Sequence, residues 1–346
     1  MGALSLSSSL PHLLPIAHCL LLIASLPPSS LPSHTMQKPS EKRTLTLAGF
    51  LITFIGAILF STKAIMVKKA FAATGVDAVT LLTLRMAFSL PFYLVAAFLV
   101  SRQESNIRMT RRQWGITLLL GLFGYYLSSL FDFIGLQYIS AGLERLILFL
   151  YPTFAVLINL YFFRQSIMKN QWIALLLTYL GIGIAFVGEV RLETGNGSFW
   201  LGSLCVFICA ITYAIYIAGS GKIIPHIGSN KFTAYAMLSA TLGVFGHYLV
   251  TNGSVGRMLD KSILPYGILL AVFATVIPSF LLAHGMKRIG SNNVAIISSI
   301  GPVSTILQAH YILGEAIFTE QLIGTLLVIA GILLLSWRGQ KKVLEV

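Results

Sequence analysis

Five ionisable residues lie inside long apolar stretches of the sequence: Lys63, Arg85, Asp132, Glu144 and Arg145. A charge at the centre of a bilayer costs about 2.5–3.5 kcal/mol on insertion scales, so such groups pair, face a wet cavity or reach an interface. Three cations and two carboxylates suit a mixed network that holds an ionised solute. Arg85 offers a planar fork matched to a carboxylate, whereas Asp132 or Glu144 can carry a proton or meet an amine. The competing reading is structural: Lys63 and Arg145 snorkel to an interface, and Glu144 merely neutralises a neighbour. His284 and His310 fall in later apolar stretches and are further candidates for substrate binding or proton coupling. A lone membrane histidine is more often a hydrogen-bonded packing residue.

Neutral polar groups gather in the same later region: Asn292, Asn293, Ser298, Ser299 and Gln308. Ser298 and Ser299 precede Gly301-Pro302, and Pro152 lies at the corresponding place earlier in the chain. A proline inside a span leaves a carbonyl unpaired, a break tolerated where protein or a cavity answers it, so Pro152 and Pro302 mark a scaffold break. Tyr125, Tyr126, Phe131 and Tyr213 either line an aromatic pocket or face lipid. Other chemistries lack their residues. There is no HExxH pair, no protease-type pair of intramembrane aspartates and no Cys/His cluster, so neither an enzyme, a metal nor a cofactor is expected. Cys205 and Cys209 fall in one span as small apolar packing residues.

The elements that position these residues follow from composition. The chain of 346 residues is 56% hydrophobic and only 10% charged, against roughly 25% charged in a soluble domain. It reads as an all-α integral membrane protein. Ten segments have the length and apolarity of spanning helices: 45–66, 79–100, 115–136, 142–163, 171–189, 199–219, 231–251, 264–286, 292–313 and 320–337. Residues 1–35 contain neither Lys nor Arg, which a signal peptide requires, and read as an extension ahead of a conventional start at Met36. An eleventh span there is the weaker alternative. Residues 1–44 thus form an N-terminal lead, and 339–346 a tail.

Twenty-four Lys and Arg against eleven Asp and Glu would suggest nucleic acid in a soluble chain. Here the basic residues fill short gaps between apolar runs, as topology signals do. With the N-terminus inside, sixteen fall on the cytoplasmic side, among them Arg102, Arg111, Arg112, Lys222 and Lys287, and five on the other: Lys68, Lys69, Arg191, Arg257 and Lys261. Both termini are therefore expected to be cytoplasmic, in a cell membrane. The partners expected are the bilayer and a small-molecule substrate, with a coupled proton, in a monomer or a homodimer.

The sequence also repeats itself. Residues 135–182 align without a gap on 285–332, with matches at Gly135/Gly285, Pro152/Pro302, Tyr161/Tyr311, Gln171/Gln321 and Gly181/Gly331. Each half, 45–189 and 199–338, holds five spans. That odd number makes the second half enter the membrane from the opposite side, as inverted repeats do. At the repeat offset, Asp132, Glu144 and Arg145 are answered by Leu282, Val294 and Ala295. The charges belong to one half only, which favours a functional role for them.

GAILFSTKAIMVKKAF (56–71), LRMAFSLPFY (84–93), GLQYISAGLERLILFLYPTF (135–154) and GMKRIGSNNVAIISSIGPVSTILQAHYILGE (285–315) carry a resemblance to the EamA-type members of the drug/metabolite transporter superfamily. In that family each half usually has a proline in its fourth helix and often a Gly-Glu at the end of that helix. Pro152, Pro302 and Gly314-Glu315 match, while the first half has Arg164-Gln165 in place of the second Gly-Glu. The resemblance covers residues 45–338. It implies a secondary transporter, an exporter of a metabolite or an amino-acid-like solute, working by alternating access. The alternative class is a channel or receptor without coupled transport.

Overall fold

A helix lets an apolar segment satisfy its own backbone in hydrocarbon, and every regular element among the described residues is helical. The structure, a computed structural model, describes residues 47–102, 108–161, 169–190, 197–252, 260–289, 297–298 and 300–338. The lead with Met36, Arg164-Gln165, Asn292, Asn293, Ser299 and the tail lie outside the described residues. Helices α1 (Leu47–Thr74), α2 (Ala78–Ser101) and α3 (Arg111–Gly135) are long enough and apolar enough to cross a bilayer, as are most of α7 (Gly197–Ile227) and of α9, which runs from Leu264 to Ile289. The remaining elements are α4 (Ala141–Leu148), α5 (Tyr151–Tyr161), α6 (Lys169–Val190), α8 (Ser229–Asn252), α10 (Gly301–Gln308) and α11 (Thr319–Arg338).

Local chemistry sets the ends. Asp77 caps α2 through the Thr80 amide at 2.9 Å, Thr110 and Gln113 form a reciprocal capping box on α3, and Ser140 caps α4. The loop expected between 219 and 231 is absent, because α7 continues to Ile227 and meets α8 across Gly228 alone. With φ 85°, Gly228 takes the left-handed backbone that such a one-residue reversal needs.

The fourth expected span is broken. Its first piece, α4, stops at Leu148, and after Phe149 and Leu150 the chain restarts at Tyr151 as α5. Pro152 falls in the first turn of α5, and Pro302 in the first turn of α10. A missing N–H is harmless there, since the first turn has no intrahelical acceptor for it. The prolines therefore start helices rather than kinking them.

One π-helical turn interrupts the third helix of each half, Leu122–Leu127 in α3 and Val272–Val276 in α9, and the two begin 150 residues apart. Packing between the halves is reciprocal as well. Helix α1 lies against α9 and α10, while α7 lies against α3, α4 and α5. Likewise α2 packs on α8 and the start of α9, and α8 packs on α2 and α3. Helices α6 and α11 form a pair of their own. There the backbones nearly touch: a methyl group at Gly181 would lie 2.5 Å from the Gly324 carbonyl oxygen.

Candidate functional site

Reciprocal packing leaves a cavity of about 600 Å³ between the halves. All the long helices except α6 and α11 contribute to its wall. It reaches the exposed residues Leu99 and Asn230, where α2 ends and α8 begins. No described residue from the C-terminal end of α1, beyond Lys63, or from the first turns of α2 lines it. The cavity is thus open at one end and closed at the other.

The charged residues meet at the closed end. Lys63 Nζ lies 2.6 Å from Asp132 Oδ2, and both side chains are buried. Arg85, also buried, donates from Nη2 to Ser129 Oγ at 2.8 Å, and its guanidinium carbon lies 5.1 Å from the Phe133 ring centroid. Its Nε has no acceptor among the described residues. Arg145 joins the two halves, donating from Nε to Thr305 Oγ1 of the second half at 3.1 Å and from Nη2 to the Phe60 carbonyl of α1 in its own half at 3.2 Å. Glu144 is fully buried at 0% exposure, with its carboxyl against that of Asp132, and as a carboxylate neither of its oxygens has a donor among the described residues. The charges that act on it are those of Asp132, Arg145 and Lys63. Of the five, Lys63, Arg85 and Arg145 face the cavity; Asp132 and Glu144 stand behind them.

The helix geometry explains this meeting. Ser129, Asp132 and Phe133 follow the π turn of α3 at i, i+3 and i+4, and so share one face. Glu144 and Arg145 lie on the short helix α4, whose burial on every side forces both inward.

Beyond the charges the two halves are tied together. Gly314, at φ 73°, ends the α10 segment in the left-handed conformation, with the Glu315 amide bonded back to the Ala309 carbonyl. That turn aims Glu315 at the N-terminus of α4, where both its carboxylate oxygens lie 3.1 Å from the Ala141 amide. Lys68 completes the tie, 3.3 Å from Glu315 Oε1 and donating to the Ile139 carbonyl at 2.7 Å.

The histidines lie elsewhere. His284 is exposed and its Nδ1 lies 3.0 Å from the carbonyl of Phe280 in its own helix. His310 is exposed too, with Nδ1 2.9 Å from the Glu315 carbonyl. Neither lines the cavity.

Sequence reasoning passed over most of the aromatic wall. Tyr125 and Tyr213 line the cavity, but so do Tyr93, Tyr151 and Tyr216. The Tyr213 and Tyr216 rings stack with centroids 5.7 Å apart, Tyr151 meets Tyr213 edge-on at 4.9 Å, and the Tyr125 and Tyr216 hydroxyls are 3.0 Å apart. The i, i+3 spacing of Tyr213 and Tyr216 was the available signal, since it puts both rings on one face. Tyr126 turns away and bonds His247 at 3.0 Å.

Known proteins share this architecture. The EamA-like transporter family model matches residues 47–187 and 200–337. The uncharacterized transporter YcbK of Bacillus subtilis (strain 168) is 30% identical over 284 residues, covering 80% of this chain and 89% of that protein. The uncharacterized transporter YyaM of the same organism is 23% identical, over 70% of this chain and 79% of its own length. An uncharacterized transporter of Archaeoglobus fulgidus is 22% identical, over 62% and 74% respectively. A solved crystal structure superposes with a TM-score of 0.59 over 85% of this chain and 97% of its own, at 18% identity, a likeness of fold. With its apolar helices and a family match over both halves, the chain is a multi-pass membrane protein belonging to the EamA-like transporter family of the drug/metabolite transporter superfamily.

Proposed function

We propose that the protein is a secondary transporter that exports a small organic solute across the cell membrane by alternating access of two inverted five-helix halves, with both termini cytoplasmic. The observation that carries this reading is a cavity open at one end and closed at the other by a charge cluster and an interhalf tie. The π turns 150 residues apart and the reciprocal helix contacts support the inverted relation. The Lys/Arg bias supports the orientation, since the open end carries the basic connections around Arg102, Arg111 and Lys231. In that orientation the cavity faces the cytoplasm and loads from it.

Each residue then has a task. Arg85 holds an ionised group of the solute, Arg145 adds positive charge from its place on Thr305, and Lys63 is kept in place by Asp132. Glu144 carries the coupling proton: a buried carboxylate without a donor is costly, and a proton on Glu144 supplies one beside Asp132. The Lys68–Glu315–Ala141 tie is the outer closure, which parts when the cavity turns outward. Saturable flux in proteoliposomes, stimulated by a pH gradient and lost in Arg85→Ala and Asp132→Ala, is the expected result. Unchanged flux in both variants at normal expression overturns the site, and steady ionic conductance without saturable flux overturns the transporter.

A further inference from the structure

The cavity wall carries a sharper message than the charge cluster as a whole. All three ionised groups that line it are cations, Lys63, Arg85 and Arg145, and no carboxylate lines it among the described residues. Asp132 and Glu144 lie behind the wall at 0% exposure. A solute in the cavity therefore meets positive charge directly and negative charge only through other side chains. Lys63 is spoken for by Asp132, and Arg145 is tied to Thr305 and the Phe60 carbonyl. Arg85 keeps only Ser129 as a hydrogen-bond partner and holds a buried Nε–H with no acceptor among the described residues. A buried guanidinium edge without an acceptor is completed by a carboxylate, which takes two parallel N–H bonds.

Further along the cavity the surface changes. Tyr213 is partly exposed and its ring belongs to a contiguous group with Tyr151, Tyr216 and Tyr125. Aromatic walls favour planar partners through offset stacking and edge contacts. We propose that the solute is a small organic carboxylate bearing a planar unsaturated ring, its carboxylate on Arg85 and its ring on the Tyr213 wall; this rests on reading the cavity as the transport site. A volume of about 600 Å³ accommodates such a molecule.

The test uses the full chain in detergent and three probes that share size but differ in one property. Benzoate is planar and anionic, cyclohexanecarboxylate is anionic and puckered, and benzylamine is planar and cationic. Thermal-shift titration is expected to rank benzoate first, cyclohexanecarboxylate second and benzylamine last. Arg85→Gln weakens benzoate by about tenfold or more, since a single charge-assisted bond already accounts for that much and the guanidinium offers two. Arg85→Lys, which keeps the charge and guards against misfolding, gives an intermediate loss. Tyr213→Leu is expected to erase the preference for benzoate over cyclohexanecarboxylate by weakening benzoate the more. Tighter binding of benzylamine than benzoate, or benzoate affinity indifferent to Arg85→Gln in folded protein, overturns the inference. Vesicle flux tells the two failures apart. Saturable flux of another solute that benzoate does not inhibit overturns this inference alone, whereas conductance without saturable flux removes the transporter reading and this inference with it.

Discussion

Removing either member of the Lys63–Asp132 pair is expected to destabilise the protein far more than removing both. The two groups are 2.6 Å apart and buried. Breaking a buried pair by deleting one partner costs about 3–5 kcal/mol, while replacing both by apolar residues of similar volume is often neutral. The two single variants should not be equal. In Asp132→Leu the ammonium of Lys63 can turn to Glu144, on which its charge already acts. In Lys63→Met, Asp132 and Glu144 remain beside each other with their nearest ion-pair partner gone, and only the guanidinium groups of Arg145 and, toward Asp132, Arg85 are left to balance two buried carboxyls. Lys63→Met therefore takes the larger loss. At about 2 °C per kcal/mol it lowers the unfolding midpoint by roughly 6–10 °C, with Asp132→Leu about half as damaging. The double variant returns to within about 3 °C of the parent. Midpoints of detergent-purified protein, followed by tryptophan fluorescence and size-exclusion recovery, measure the cycle. A double variant showing the sum of the two losses refutes the reasoning, because additivity means that the groups do not interact. A double variant that is stable and transports normally refutes the functional half, leaving the pair as a packing device.

Three further outcomes follow from the geometry. Glu144→Gln, which keeps the shape and loses the titratable group, is expected to retain solute exchange while losing stimulation by a pH gradient, measured as counterflow against gradient-driven flux in the same vesicles. Glu315→Ala frees the Ala141 amide and Lys68 at once, so a cysteine placed at Ser140 should react with an impermeant thiol reagent several-fold faster than in the parent; equal labelling rates count against the closure. At the α6–α11 crossing, Gly181→Ala puts a methyl group 2.5 Å from a backbone oxygen and is expected to cost about 1–3 kcal/mol as overpacking. Gly183→Ala two residues on, with open space around it, is expected to gain about 0.5–1 kcal/mol from helix propensity, both read as shifts in unfolding midpoint.

What the sequence disclosed and what it hid divide along physical lines. Each of the ten expected apolar segments overlaps a helix or a broken helix, because apolarity over membrane length is a local property. That the five charges meet was legible for a different reason: buried charges must find partners, so their types alone constrain where they gather. The pairing within the cluster was not, since Asp132 was expected in the cavity beside Arg85 and instead stands behind its wall on Lys63. His284 escapes that logic. An imidazole can bond a carbonyl of its own helix, as it does at Phe280, and nothing compels it toward the cavity. The Tyr wall was hidden by abundance, since thirteen tyrosines share one composition and only packing sorts Tyr213 from Tyr126. The one-residue hinge at Gly228 was missed because hydropathy cannot separate a helix end from a helix that simply continues toward water.

The paired π turns have a consequence for how the sequence can change. A π turn amounts to one residue inserted into an α-helix, and one residue is about 100° of rotation. Everything in α3 beyond Leu127 is turned by that insertion, including Ser129, Asp132 and Phe133, the residues that receive Arg85 and Lys63. Deleting a single residue there would swing this face about a quarter-turn away while leaving helix length and hydropathy almost untouched. The matching turn in α9 sets the phase of the other half, against which α1 is packed. Neither insertion can be lost alone without putting the halves out of phase, so a deletion among residues that carry no charge at all would take the charge cluster apart.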